Sequence, residues 1–154
     1  MTRKKRSETP SDLDYGMLPN LAGYQLRLAQ VAIFRDFSES LGEFDVTPGL
    51  FGVLVIIEAN PGLKQSELAR ATHLDRSTVV SVIDNLERRN LVVRRPAQND
   101  RRSNALTLTE RGSTLLQTLK ARVEDHEARL VAHLTESERT TLVSLLRKIF
   151  PEHR

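Results

Sequence analysis

Apolar side chains recur every three or four positions along most of the 154-residue chain, a period that predicts helices. The first helix is predicted to begin at Asn20 or Leu21 and to end at Leu41, because Asn20 can cap it and Gly42 follows. A helix that is apolar on two sides is buried on two sides, so one side can face its own subunit and the other a partner. The two stripes are Leu21, Tyr24, Leu28 and Val31, and Leu26, Ile33, Phe37 and Leu41.

Capping residues and helix breakers delimit further helices in the rest of the chain. These are a second helix from Thr47-Pro48 to Asn60-Pro61-Gly62, a third from Gln65 to Thr72, a long fifth from Thr109 to about Leu134, and a sixth from the capping box Thr135–Glu138 to Pro151. The sixth helix is expected to turn its apolar residues inward; these are Leu142, Leu145, Leu146 and Ile149. The long first helix and the two leucine-rich final helices together predict a helical dimerisation lobe.

The fourth helix, predicted from Asp75 to Arg89, carries the most informative pattern. Asp75 can cap it, and Val79, Val82, Ile83 and Leu86 fall on one side of a helical period. The opposite side is short and polar, which suits close approach to base-pair edges. That side carries Ser77, Ser81, Asp84 and Arg88, flanked by Thr78, Val80 and Asn85.

Two short strands are predicted after this helix, Leu91 to Val93 and Ala105 to Leu108. Pro96, Asn99 and Asp100 suggest a turn between them, surrounded by Arg94, Arg95, Arg101 and Arg102. Helix, turn, helix and arginine-rich hairpin in this order predict a winged DNA-binding unit. Taken alone, the helix pair could be ordinary helix packing and the arginine-rich hairpin could be solvated surface. The predicted DNA-contacting residues are Ser66, Arg76, Ser77, Thr78, Ser81, Asn85, Arg88, Arg94, Arg95, Asp100, Arg101 and Arg102.

The segment from Leu63 to Gly112 resembles the winged helix-turn-helix of the MarR (multiple antibiotic resistance regulator) family of bacterial transcription factors. The matching pieces are Leu68-Ala69, Asp75-Arg76-Ser77-Thr78-Val79, Asp84, Leu86-Glu87, Leu91-Val92, Arg94, Asp100-Arg101-Arg102 and Leu106-Thr107-Leu108-Thr109-Glu110-Arg111-Gly112. Asn90 stands where the family usually has Gly, and Asn tolerates the left-handed conformation of a helix end.

The resemblance covers roughly residues 20 to 150 and implies a mainly α fold with a small β-wing. It also implies an intertwined homodimer that places two recognition helices on the half-sites of a palindromic operator in double-stranded DNA. The expected organisation is a flexible basic tail (1–18), an N-terminal dimerisation helix (19–46), the DNA-binding domain (47–112) and C-terminal dimerisation helices (113–154).

Family members are typically repressors released by a small aromatic or acidic ligand, bound where the dimer lobe meets the DNA-binding domain. Here the resemblance implies an effector site lined by Tyr24, Phe34, Phe37 and Phe51, with Arg27, Gln30 and Arg35 as polar anchors. The alternative is that these aromatic residues simply fill the core. The first-helix string LAGYQLRLAQVAIFRDF is similar to a subgroup that controls catabolism of plant-derived aromatic (hydroxycinnamate) acids, some of whose members respond to aromatic acyl-CoA thioesters. A free aromatic carboxylate and a DNA-architectural module without any effector remain the alternatives.

Positive charge is concentrated in two places although the net charge is only +3. Residues 87–102 carry six arginines against Glu87 and Asp100, and residues 1–8 carry four basic groups against Glu8, a footprint for phosphate. The basic tail could touch DNA or an acidic ligand, but such tails are more often merely solvated.

Composition narrows the remaining classes of function. The chain has no cysteine, which excludes disulfides and thiolate metal sites and is compatible with the cytoplasm. No apolar run is long enough for a membrane span. The four histidines, His73, His126, His133 and His153, are interpreted as structural or exposed. We expect no metal, no cofactor and no enzymatic activity, because no catalytic motif appears.

Overall fold

The computed structural model describes residues 13–97 and 100–149, with residues 97 and 100–104 described through their backbone alone. The chain separates into two compact units, residues 1–33 and 34–154. In the first unit, a short 3-10 helix spans Leu18–Asn20 and precedes helix α1, Ala22–Leu41. Asn20 closes that short helix, so the prediction that Asn20 caps the first long helix is wrong.

The second unit holds the end of α1 and all the remaining elements. These are a 3-10 helix (Gly42–Phe44), α2 (Pro48–Ala59), β1 (Leu63–Lys64), α3 (Gln65–Thr72), α4 (Arg76–Arg88), β2 (Val92–Ala97), β3 (Asp100–Leu108), α5 (Glu110–Leu130) and α6 (Glu136–Ile149). The predicted class, mainly α with a small β-wing, is confirmed.

The other predicted capping residues occupy the helix ends as expected. The Thr47 hydroxyl accepts from the backbone N–H of Leu50 at 3.2 Å, and the Thr109 hydroxyl accepts from that of Gly112 at 3.0 Å. Thr135 and Glu138 exchange backbone-to-side-chain hydrogen bonds, which confirms the capping box. Each cap satisfies an N–H that the first helical turn leaves unpaired. Asn90, just beyond α4, adopts φ of +56°, which confirms the left-handed conformation expected there.

The sheet has three antiparallel strands in the order β1-β3-β2, whereas the sequence predicted two. The missed strand pairs Leu63 with Leu106 and Lys64 with Ala105, and two residues are too few to show an alternating pattern. Pro96 and Asp100 were expected in a turn, but both lie within strands, and Asn99 lies outside the described residues. Pro96 is tolerated because β2 is an edge strand.

The core of the second unit joins the end of α1, α2, α3, α4, the sheet and the first half of α5. Its fully buried members include Leu41, Leu54, Ile57, Leu68, Ile83, Leu86, Leu106, Leu116 and Leu119. The apolar side predicted for the fourth helix supplies part of this core. Through these contacts α4 is held with one face buried and the other exposed.

Helix α6 contributes none of its side chains to this core. Leu142, Leu145, Leu146 and Ile149 are between 38% and 60% exposed. The prediction that they turn inward is therefore wrong for a single chain. Separately, no single helix in the described part of the chain is long and apolar enough to cross a bilayer; Ala22–Phe44 and Pro48–Ala59 meet that test only when taken together.

Candidate nucleic-acid interface

The N-terminus of α4 is fixed by Asp75, as the sequence predicted. The Asp75 carboxylate accepts from the backbone N–H of Thr78 at 2.9 Å, from the Thr78 hydroxyl at 2.6 Å and from the Ser77 hydroxyl. These hydrogen bonds, that of Ser77 first, hold the pKa of Asp75 well below its usual range. Asp75 therefore stays ionised and keeps the cap formed.

This cap decides which groups the serine and threonine hydroxyls present outward. Ser77 and Thr78 donate their protons to Asp75, and Ser81 donates to the carbonyl of Ser77 at 3.1 Å. A hydroxyl whose proton is already used offers only its oxygen lone pairs. The outward oxygens suit the amino groups of cytosine and adenine in the major groove, rather than the base acceptors.

The outward face of α4 has the composition that the sequence indicated. Arg76, Ser77, Ser81, Asp84 and Arg88 are exposed, as is Ser66 on α3, whereas Thr78 and Asn85 are half-buried. The predicted contact set omits Val80, which is 45% exposed on the same helix. An apolar group there can contact the methyl group of thymine. The sequence signal for Val80 was its spacing of four residues from Arg76, which places both residues on the same side of the helix.

Arg94, which was predicted to contact DNA, forms ion pairs with α4. Its guanidinium contacts Asp84 at 2.7 Å and Glu87 at 2.5 Å, and only 20% of its side chain is exposed. Glu87 also accepts from the backbone N–H of Arg94 at 2.9 Å. These contacts join the recognition helix to strand β2.

Arg89, another member of the basic run, faces the corner between α1 and α2. It donates to the carbonyls of Phe44 and Asp45, both at 2.8 Å. Arg95 is exposed on β2 and remains a candidate for phosphate. The side chains of Asp100, Arg101 and Arg102 lie outside the described residues, so their predicted contacts stay predictions.

The predicted effector residues fall in both units, and each is described within its own. In the first unit Tyr24 is half-buried, while Arg27 and Gln30 are exposed. In the second unit Phe34 and Arg35 are exposed, Phe51 is half-buried and Phe37 is buried. The Phe37 ring lies 5.5 Å from the ring of His126, edge to face. The core-filling alternative therefore accounts for Phe37.

The histidines differ in their surroundings. His126 is 2% exposed, and its Nδ1 lies 2.6 Å from a carboxylate oxygen of Asp36. This hydrogen bond, followed by the charge of Arg129, lowers the pKa of Asp36. His73 ends α3 at φ of +54°, His133 is exposed and His153 lies outside the described residues. No group of three acidic or histidine side chains is placed to hold a metal ion in the part that the structure describes.

An exposed, capped recognition helix beside a basic β-hairpin defines a winged helix-turn-helix DNA-binding protein. Residues 44–103 match the model of the MarR family. The chain belongs to the MarR family of transcriptional regulators. It is 38% identical over 141 residues to a proposed transcriptional regulatory protein for the hcr operon of Thauera aromatica, covering 91% of this chain and 85% of that protein.

Solved structures agree with this assignment. The transcriptional repressor CouR bound to a 23-mer DNA duplex superposes with a TM-score of 0.86 at 39% identity, covering 90% of this chain and 99% of that chain. CouR bound to p-coumaroyl-CoA superposes with a TM-score of 0.83 at 37% identity, covering 90% and 97%. The chain is therefore similar to one repressor in both its DNA-bound and its ligand-bound forms.

Proposed function

We propose that the protein is a dimeric repressor that binds a palindromic operator and is released by an aromatic acyl-CoA thioester. The observation that carries the proposal is the similarity to CouR over 90% of this chain in complexes with DNA and with p-coumaroyl-CoA. The outward face of α4 supplies the base-reading surface. Arg76, Arg88 and Arg95 are exposed and available for phosphates.

Exposed leucines support the dimer. In the second unit, α6 presents five large apolar side chains, and Leu130 at the end of α5 and Leu134 beyond it are 38% and 39% exposed. In the first unit, Leu28 and Val31 are 46% and 56% exposed. Apolar surface of this extent is typical of an interface between subunits. A second copy of the chain would cover it and place two recognition helices on one duplex.

An effector changes DNA binding only if it binds the DNA-competent and DNA-incompetent shapes with different affinity. The polar residues Arg27 and Arg35 are exposed, so both are accessible to the phosphates of a CoA moiety. A free aromatic acid lacks these phosphates, and we expect it to bind more weakly.

The test uses a duplex selected by the protein from a random pool, with binding followed by fluorescence anisotropy. Adding p-coumaroyl-CoA should release the duplex, whereas equal concentrations of p-coumarate or of CoA alone should not. Release by p-coumarate alone would mean that the effector is the free acid and not the thioester. No release by any of the three would overturn this proposal and favour the architectural module.

A further inference from the structure

The outward surface of α4 carries two carboxylates where DNA is expected to lie. The side chain of Asp84 is 50% exposed and that of Glu87 is 30% exposed. An unpaired carboxylate beside the phosphate backbone opposes binding, because like charges repel and the DNA charge is dense. A surface that binds DNA therefore needs a counter-charge at this position.

Arg94 supplies that counter-charge from the neighbouring strand. One terminal nitrogen of its guanidinium lies 2.5 Å from Glu87, and the other lies 2.7 Å from Asp84 and 3.5 Å from the carbonyl of Val80. Its Nε is buried without a hydrogen-bond partner among the described residues. The described hydrogen bonds of Arg94 are therefore all made to groups of its own chain.

The adjacent residue provides a natural comparison. Successive side chains of a strand point to opposite faces, so Arg94 faces α4 while Arg95 faces away from it. Arg95 is exposed, and no ion pair of Arg95 is found in the described part of the chain. Two arginines that look equivalent in the sequence therefore have different surroundings.

We infer that Arg94 is a positioning residue for DNA binding and that Arg95 is a phosphate ligand. Arg94 neutralises Asp84 and Glu87 and fixes β2 against α4, so that helix and wing meet the duplex as one rigid unit. This inference rests on the proposed function only in requiring that the protein bind DNA. It removes Arg94 from the phosphate contacts that the sequence predicted.

The experiment measures affinity for the selected duplex across a series of KCl concentrations. Arg95→Gln should weaken binding and reduce the slope of log affinity against log salt by about one unit, as the loss of one phosphate contact does. Arg94→Gln should weaken binding about tenfold at low salt, because it exposes the Asp84 and Glu87 carboxylates to the phosphates, and added salt should screen part of this repulsion.

A double variant separates neutralisation of the carboxylates from simple loss of stability. Adding Asp84→Asn to Arg94→Gln removes the exposed carboxylate that Arg94 neutralises. The double variant should regain most of the lost DNA affinity while its melting temperature stays at that of Arg94→Gln. A variant that had lost affinity only through instability would not recover in this way.

Arg94→Lys keeps a cation for a phosphate but cannot span two carboxylates. We expect it to lose affinity with the wild-type salt slope, even if Arg94→Gln does not fold. Wild-type affinity for Arg94→Lys, or no recovery of affinity when Asp84→Asn is added to Arg94→Gln, would overturn the inference. Failure of the wild-type protein to bind any duplex would instead overturn the proposed function.

Discussion

Gly112 is the residue at which the start of α5 meets the backbone at Leu91, between α4 and β2. A Cβ atom on Gly112 would lie 2.0 Å from the carbonyl oxygen of Leu91. That oxygen also accepts from the N–H of Thr109 at 3.0 Å, and the Thr109 hydroxyl donates to the carbonyl of Asn90 at 2.7 Å. Any side chain at position 112 would therefore displace the start of α5 from the backbone of Leu91.

Gly112→Ala should therefore destabilise the protein by roughly 1–3 kcal/mol, the usual cost of overpacking. Gly52→Ala is the matched control, because Gly52 lies in α2 and nothing stands within 4 Å of its added Cβ. The control should be neutral or slightly stabilising, since alanine favours helix over glycine. Urea unfolding measures both variants. Equal stability of the two would contradict the close approach at Gly112.

Asp36 ties the C-terminal half of α1 to α5 through His126 and Arg129. Its pKa is lowered in the folded protein, first by the hydrogen bond to His126. The folded protein therefore binds the Asp36 proton more weakly than the unfolded chain does. The stabilisation is present above the unfolded pKa and is lost as the pH falls through the folded value.

Asp36→Asn should lower the melting temperature at pH 7, and the difference from wild type should shrink as the pH falls below 3.8, the ordinary value for the group. Glu39→Gln, an exposed neighbour on α1, serves as the control. Thermal unfolding between pH 7 and pH 3 provides the measurement. A difference that stays constant over this range would show that the charge of Asp36 has no part in the contact.

At the scale of elements, the sequence predicted what is encoded locally. The cap at Asp75 and its counterpart at Thr109 each involve a side chain and an N–H three residues on, so a short window reveals them. The left-handed Asn90 is likewise a local feature. The recognition helix and its outward face followed from helical period alone, and the structure confirms both.

The missed features depend on distant parts of the chain. Strand β1 exists because Leu63 pairs with Leu106, a contact that no local pattern shows. Arg89 contacts the carbonyls of Phe44 and Asp45, more than forty residues away, so its role could not be distinguished from that of Arg88. The partners of Arg94 on α4 depended in the same way on how β2 packs.

At the scale of the whole molecule, the apolar face of α6 is exposed in the single chain. The sequence correctly indicated an apolar face and placed its helix in a dimerisation lobe, but the helical period shows only that a face is apolar and not which surface covers it. If a second copy covers this face, Leu145→Arg should disrupt the dimer by placing a charge in it. Thr140→Arg is the control, because helical spacing puts Thr140 on the opposite side of α6.

The most direct measurement of the central claim is the number of chains bound per duplex and the affinity for an intact palindrome against one with a scrambled half-site. Sedimentation velocity with labelled duplex gives the first and anisotropy the second. The account predicts two chains per palindrome for wild type and Thr140→Arg, with much weaker binding to the scrambled duplex, and loss of the two-chain complex for Leu145→Arg. One chain per duplex, or equal affinity for both duplexes, would contradict it.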